Sequence, residues 1–196
     1  MNTVGLRVKS GFAVAIAVSG DADSWRIEQR REVALTAGYG KYARFPYHPL
    51  IELEGNPGAT ASRKAVAIVK STAKKQMAAL LDSLGAIDAA AIVVGSMIDP
   101  NVIGNPHIRV HAREGKLFRE VIAAALDRRK IPYDFLTDKD AYAQVARDLG
   151  RFPAKLRTDI GKKGRDVVSP WRADEKLAAL GAAWKLRTAT ARQLKR

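Results

Sequence analysis

The first thirty-five residues constrain the fold more than any other stretch of this chain. VGLRVKSGFAVAIAV, Val4 to Val18, reads as two short apolar strands folded back at Lys9-Ser10-Gly11. Gly20-Asp21-Ala22-Asp23 supplies the next turn. SWRIEQRREVAL, Ser24 to Leu35, reads as a third strand, with Trp25, Ile27 and Val33 apolar around a long polar middle. Three consecutive strands joined by short turns pair antiparallel.

The period then changes. Ala61–Leu84 places Val66, Val69, Ala73, Met77, Leu80, Leu81 and Leu84 at three- and four-residue steps, which predicts a helix with Ser62 as N-cap and Gly85 as its stop. AAAIVVGS, Ala89 to Ser96, is a continuous apolar run that suits a parallel strand buried on both faces. Val110–Arg129 predicts a second helix and Ile131–Leu136 a strand. Asp138–Leu149 predicts another helix, with Thr137 as N-cap. A short helix around Ala154–Ile160 and a closing helix over Arg172–Arg187 follow. Ala37–Thr60, containing FPYHPLIE, predicts a loop ordered by Phe45, Tyr47 and Leu50, and MIDPNVIGNP a second loop.

This order predicts an α/β fold: a mixed sheet of three antiparallel strands followed by alternating helices and strands, with helices on both faces. We expect one domain over 1–187 and a basic, frayed tail over 188–196. The chain has no cysteine, which excludes disulfides, cysteine-bound zinc and cysteine nucleophiles. No apolar run approaches the ~20 residues of a membrane span, and GFAVAIAV lacks a cleavage signal after it. A cytoplasmic location without membrane contact is expected.

Charge bears on partners. The net charge is +14, and +9 of it lies in the last fifty residues, Arg147 to Arg196. A concentrated positive field attracts polyanions, so nucleic acid is the expected partner. KLRTDIGKKGRD, Lys155 to Asp166, mixes Lys, Arg and Gly without aromatics. Lys162, Lys163 and Arg165 in it suit sequence-independent phosphate contact. In SPWRADEK, Trp171 and Arg172 could stack on a base or hold a phosphate, although Trp171 equally suits a core anchor.

Several chemistries lack their motifs. There is no G-x-x-x-x-G-K-[ST] loop, and the two glycines of GSMIDPNVIGNP lack dinucleotide-binding spacing. No elbow sequence surrounds Ser10 or Ser96. His107 and His111 are four residues apart, but Pro106 and the loop before it argue against a shared helix face, and His48 is remote. A three-histidine metal site is therefore not expected. HAREG is more suggestive: His111, Arg113 and Glu114 fall within one turn, and Gly115 in a helix costs ~1 kcal/mol, which suggests close approach of a backbone or ligand.

Three local patterns carry a resemblance. VGLRVKSGFAVAIAV resembles the G-[IL]-D-x-G…G-x-A-x opening of the Holliday-junction-resolvase branch of the ribonuclease H-like superfamily. DAAAIVVGSMIDP resembles the strand and loop of that branch's relatives, and WRADEKLAALGAAWKL their closing helix. The resemblance implies a ribonuclease H-like fold over nearly the whole chain. It also implies phosphodiester hydrolysis by divalent metals, Mg²⁺ or Mn²⁺, held by carboxylates, since these hard cations prefer oxygen ligands.

Carried over by position, the first acid falls at Arg7, a cation that cannot ligate a metal. Lys9 shares its face by the period of two. The last acid matches at Asp174, with Glu175 beside it. Glu114, Asp138 and Asp174 are thus the candidate catalytic residues, with Glu114 and Asp174 as metal ligands. Arg7, Lys9, His111 and Arg113 join the basic residues above as candidate nucleic-acid contacts. Three expectations follow: a nucleic-acid-binding protein that hydrolyses a structured or branched substrate; a non-catalytic binding protein in which Arg7 and Lys9 replace the metals; or a scaffold whose basic tail contacts RNA or an acidic partner. A homodimer is compatible with each.

Overall fold

The computed structural model describes residues 1–21, 24–38, 40–164 and 169–193. Ala22 and Asp23 of the expected turn, Arg165, and the end of the expected tail lie outside the described residues. The opening folds as its pattern requires. β1 (Asn2–Lys9) and β2 (Phe12–Gly20) pair antiparallel from Asn2↔Ser19 to Lys9↔Phe12, which leaves Ser10-Gly11 as the turn. Gly11 takes a φ of +88°, which side chains other than glycine's disfavour. β3 (Trp25–Ala34) adds to β2, and β4 (Ala89–Val94) and β5 (Tyr133–Thr137) add parallel to β1. The strand order is β3-β2-β1-β4-β5. All six residues of β4 are buried, as its unbroken apolar run requires.

Alternation along β1 divides the core. Val4, Leu6 and Val8 face a cluster built with α2 (Gly55–Leu84) and α3 (Pro106–Arg128). The odd residues face α6 (Ala173–Gln193), which shares the opposite cluster with α4 (Ala141–Asp148) and α5 (Pro153–Lys163). α6 lies unusually close to the sheet. Thr3 Oγ1 donates to the Ala182 carbonyl at 2.8 Å. A Cβ built on Gly5 would stand 1.8 Å from the Ala178 carbonyl oxygen, and one on Gly181 would stand 2.9 Å from Ala91 Cβ. Small residues on both elements therefore fix the height of α6, and they hold its first turn over the C-terminal end of β1.

Helix starts differ from expectation. α2 begins at Gly55, and Ser62 is buried inside it rather than capping it. A short helix α1 (Pro49–Glu52) packs against α2 at Gly58, where a Cβ would meet the Pro49 and Leu53 carbonyl oxygens at 2.5 Å. Glycines and a proline that read as loop thus lie in a packed helical turn. α3 begins at Pro106, ahead of the expected Val110. Asn105 Oδ1 accepts from the His107 and Ile108 amides at 3.0 and 3.1 Å, and proline in the first turn has no amide to leave unpaired.

α4 starts at Ala141, because Thr137 Oγ1 donates to Asp140 Oδ2 at 2.8 Å and so braces the preceding turn instead of capping the helix. α6 continues past Arg187 to Gln193, where fraying was expected. Tyr47 helps to order the loop before α1 as expected, joined by His48, while Phe45 and Leu50 are exposed, Phe45 with its ring against that of His48. Among the described residues no helix is long and apolar enough to cross a membrane.

Candidate functional site

The C-terminal ends of β1, β4 and β5 lie side by side, the usual place for a site in an open α/β sheet. Arg7 comes from β1, opposite Val93 of β4. Asp138 follows β5 directly, its amide donating to the Val94 carbonyl at 2.8 Å. Asp174 comes from the first turn of α6. The three converge. Arg7 Nη2 donates to Asp138 Oδ2 at 2.7 Å, and Arg7 Nε donates to Asp174 Oδ1 at 3.2 Å. Lys9 Nζ adds a contact to Asp174 Oδ1 at 3.8 Å. The Arg7 side chain is 6% exposed and the two aspartates about a third exposed. The two aspartates are thus bridged by a guanidinium, and two cations balance two carboxylates.

Glu114 does not join them. Its buried carboxylate turns toward the loop before α1, where Oε1 accepts from the Tyr47 amide at 3.2 Å and from His48 Nδ1 at 2.9 Å. Among the described residues no third acid joins Asp138 and Asp174, and with a guanidinium between them the two do not fit a pair of Mg²⁺ or Mn²⁺ ions.

Beside Arg7 opens a cavity of about 390 Å³, lined among others by Lys9, Ser96, His111, Arg119 and Asp138. Arg119 was not anticipated from sequence, where it is one of many basic helix residues. It is 8% exposed and donates one hydrogen bond, from Nη1 to the Ser96 carbonyl at 3.3 Å. No carboxylate pairs with it among the described residues. Burial lowers its pKa from the ordinary value, and Glu120 pulls it partly back; an arginine at neutral pH stays charged. A buried cation with spare donors, facing a cavity, has the chemistry to accept an oxyanion. Gly115 lines the same cavity, and a Cβ there would meet nothing within 4 Å. The close approach expected at that glycine is made by none of the described residues.

The other expected contacts are dispersed. Arg113 borders a separate groove with Tyr47, Lys116 and Glu120. Lys162 and Lys163 line a cavity of about 510 Å³ with Trp25 and Trp184, and Lys163 Nζ donates to the Trp25 carbonyl at 2.6 Å. Trp171 donates from Nε1 to the Ile160 carbonyl at 3.1 Å, and its ring covers Gly164, where a Cβ would stand 2.0 Å from it. That ring locks α5 against the start of α6. Arg172 is exposed, and its amide donates to Glu175 Oε2 at 3.0 Å.

Glu175 is the structural neighbour of Asp174. It is buried, and its Oε1 accepts from Arg30 at 2.8 Å. Burial alone would raise its pKa; the Arg30 hydrogen bond, then the backbone amides, outweigh it and hold the carboxyl below its ordinary value. A depressed carboxyl stabilises the fold above its unfolded-state pKa and loses that contribution as pH falls through its folded-state value. Acid unfolding of wild type should therefore be steeper than that of Glu175→Gln, measured as urea midpoints from pH 6 down to pH ~3. Parallel profiles would show that Arg30 contributes nothing through charge.

No family model matches this chain, and no curated protein matches it. Solved structures do. RuvC from T. thermophilus in complex with a Holliday junction substrate aligns with a TM-score of 0.55 at 13% identity, over 97% of both chains. A second Thermus thermophilus RuvC structure gives 0.55 at 11% identity, over 97% of this chain and 98% of that one. The yeast mitochondrial Holliday junction resolvase gives 0.51 at 13% identity, over 98% of this chain and 82% of that one. The fold is ribonuclease H-like. Its mixed five-stranded sheet, three antiparallel strands followed by two parallel ones, matches the fold that the element order led us to expect.

Proposed function

We propose that this chain is a nucleic-acid-binding protein in which Arg7 holds the carboxylate pair that a divalent ion would otherwise hold. It grips the phosphate backbone of a structured or branched nucleic acid at the C-terminal edge of its parallel strands. The observation that carries the reading is the bridge from Arg7 to both Asp138 and Asp174. Arg119, buried beside the same cavity and hydrogen-bonded to no carboxylate among the described residues, supplies a cation for a phosphate oxygen, and Lys9 lies on the rim. The +14 net charge supports approach to a polyanion. The resolvase-type fold adds to this, since the RuvC neighbour is seen with a Holliday junction.

The test is a panel of labelled four-way junction, duplex and single-stranded DNA and RNA, incubated with the protein in Mg²⁺ or Mn²⁺. Retention of at least one substrate at low salt, uncleaved, is the expected result. No retention of any substrate contradicts the proposal. Cleavage that is lost in both Asp138→Asn and Asp174→Asn would instead assign hydrolysis to these acids.

A further inference from the structure

A second set of chemistry-bearing side chains stands beside the cavity, unconnected with the Arg7 bridge. Because α3 begins at Pro106, His107 and His111 lie on successive turns of one face, with their Nε2 atoms 3.2 Å apart. The loop before α1 brings His48 to them across the chain. Its ring centroid lies 4.8 Å from that of His111 and 5.5 Å from that of His107. One ligand nitrogen from each of the three falls within 4.8 Å of the others. Phe45 packs on the His48 and His111 rings from 5.0 and 6.1 Å.

What lies behind these rings decides their chemistry. Glu114 is 1% exposed. Its Oε1 accepts from His48 Nδ1 at 2.9 Å. Its Oε2 is buried without a hydrogen bond and stands 3.3 Å from His111 Nδ1. A carboxylate set behind two Nδ1 atoms favours a proton on each, the tautomer that turns the Nε2 lone pairs outward. The Tyr47 amide and His48 account for one oxygen of this buried carboxylate; the other, costly to leave unpaired, faces His111.

We infer that His48, His107 and His111 bind a divalent transition-metal ion of the zinc class, with Glu114 as the carboxylate that orients two of the three ligands. Three imidazoles suit Zn²⁺ and its neighbours and suit Mg²⁺ poorly. Zinc–nitrogen bonds of about 2.0–2.1 Å in a tetrahedron put ligand nitrogens roughly 3.4 Å apart. The His107–His111 pair already meets that spacing, at 3.2 Å. His107 and His111 are exposed enough to rotate, and a small turn of His111 also gives Oε2 its missing hydrogen bond. Three protein ligands leave one coordination position for water or an anion. His111 borders the cavity that holds Arg119, so that position neighbours the cationic pocket. The inference is independent of nucleic-acid binding.

The experiment is a calorimetric titration of Zn²⁺ into the chelator-stripped full chain, with excess Mg²⁺ present throughout. Wild type should bind one Zn²⁺ per chain without competition from Mg²⁺. His107→Ala and His111→Ala, both at exposed positions and checked for wild-type melting in chelator, should each bind at least ~10-fold more weakly. Glu114→Gln should weaken binding by roughly 10- to 100-fold. Loading with Co²⁺ should give wild type visible absorption bands that both histidine variants lack. Absence of saturable Zn²⁺ binding to wild type overturns the inference. So does binding that is undiminished in both His107→Ala and His111→Ala.

Discussion

Replacing Gly5 with alanine is expected to destabilise the protein by about 3 kcal/mol, at the upper end of what overpacking costs. The added methyl would enter the backbone of α6, 1.8 Å from the Ala178 carbonyl oxygen and 2.9 Å from the Ala182 amide nitrogen. A backbone cannot rotate aside as a side chain can, so the helix must lift from β1. That lift also strains the Thr3 bond to the Ala182 carbonyl. The measurement is a urea unfolding curve, where the midpoint should fall with the slope unchanged. A midpoint within error of wild type would mean that α6 does not lie where the small residues place it. The same displacement moves Asp174 away from Arg7, so packing at Gly5 and the site's electrostatics are one structural fact.

The second large effect is at Arg7. Removing one partner from a buried ion pair commonly costs 3–5 kcal/mol. Here Asp138 and Asp174 are about a third exposed, so water screens part of the loss. Arg7→Ala should therefore lose about 2 kcal/mol in chelator. It should also change the response to metal. With the guanidinium gone, the two carboxylates lose their shared partner, and among the described residues Lys9 still stands 3.8 Å from Asp174. Millimolar Mn²⁺ should raise the melting temperature of Arg7→Ala and leave that of wild type unchanged. Equal responses of the two proteins would show that Arg7 does not stand in place of an ion.

Much of the architecture was legible in residues 4–35 and in AAAIVV, because strands declare themselves by alternation or by an unbroken apolar run. The resemblance to resolvases was legible for the same reason. Helix starts were not. Gly55, Pro57 and Gly58 signal loop to any local rule, yet contact with α1 makes glycine necessary at position 58. Pro106 reads as a break, but after Asn105 it opens a helix, and that misplaced start hid the shared face of His107 and His111. Asp138 and Asp174 could be suspected by analogy, whereas their convergence on Arg7 depends on strand order. Glu114 was singled out for its neighbours in HAREG, and one of them, His111, does face its Oε2 at 3.3 Å; its hydrogen-bond partners, Tyr47 and His48, lie more than sixty residues upstream. Arg119 carried no signal, because one arginine among many gains meaning only from burial and the cavity it faces.

The cationic pocket is tested most directly by the salt dependence of nucleic-acid binding in wild type and Arg119→Ala, a variant expected to fold normally because it loses one hydrogen bond and no ion pair. Each phosphate contact contributes about 0.9 to the slope of log affinity against log salt on a duplex. We predict that wild-type binding weakens steeply with salt, and that Arg119→Ala binds more weakly at low salt with a slope shallower by about one. Wild-type affinity that does not change between low and moderate salt, or an Arg119→Ala curve that superimposes on the wild-type curve, would contradict the account.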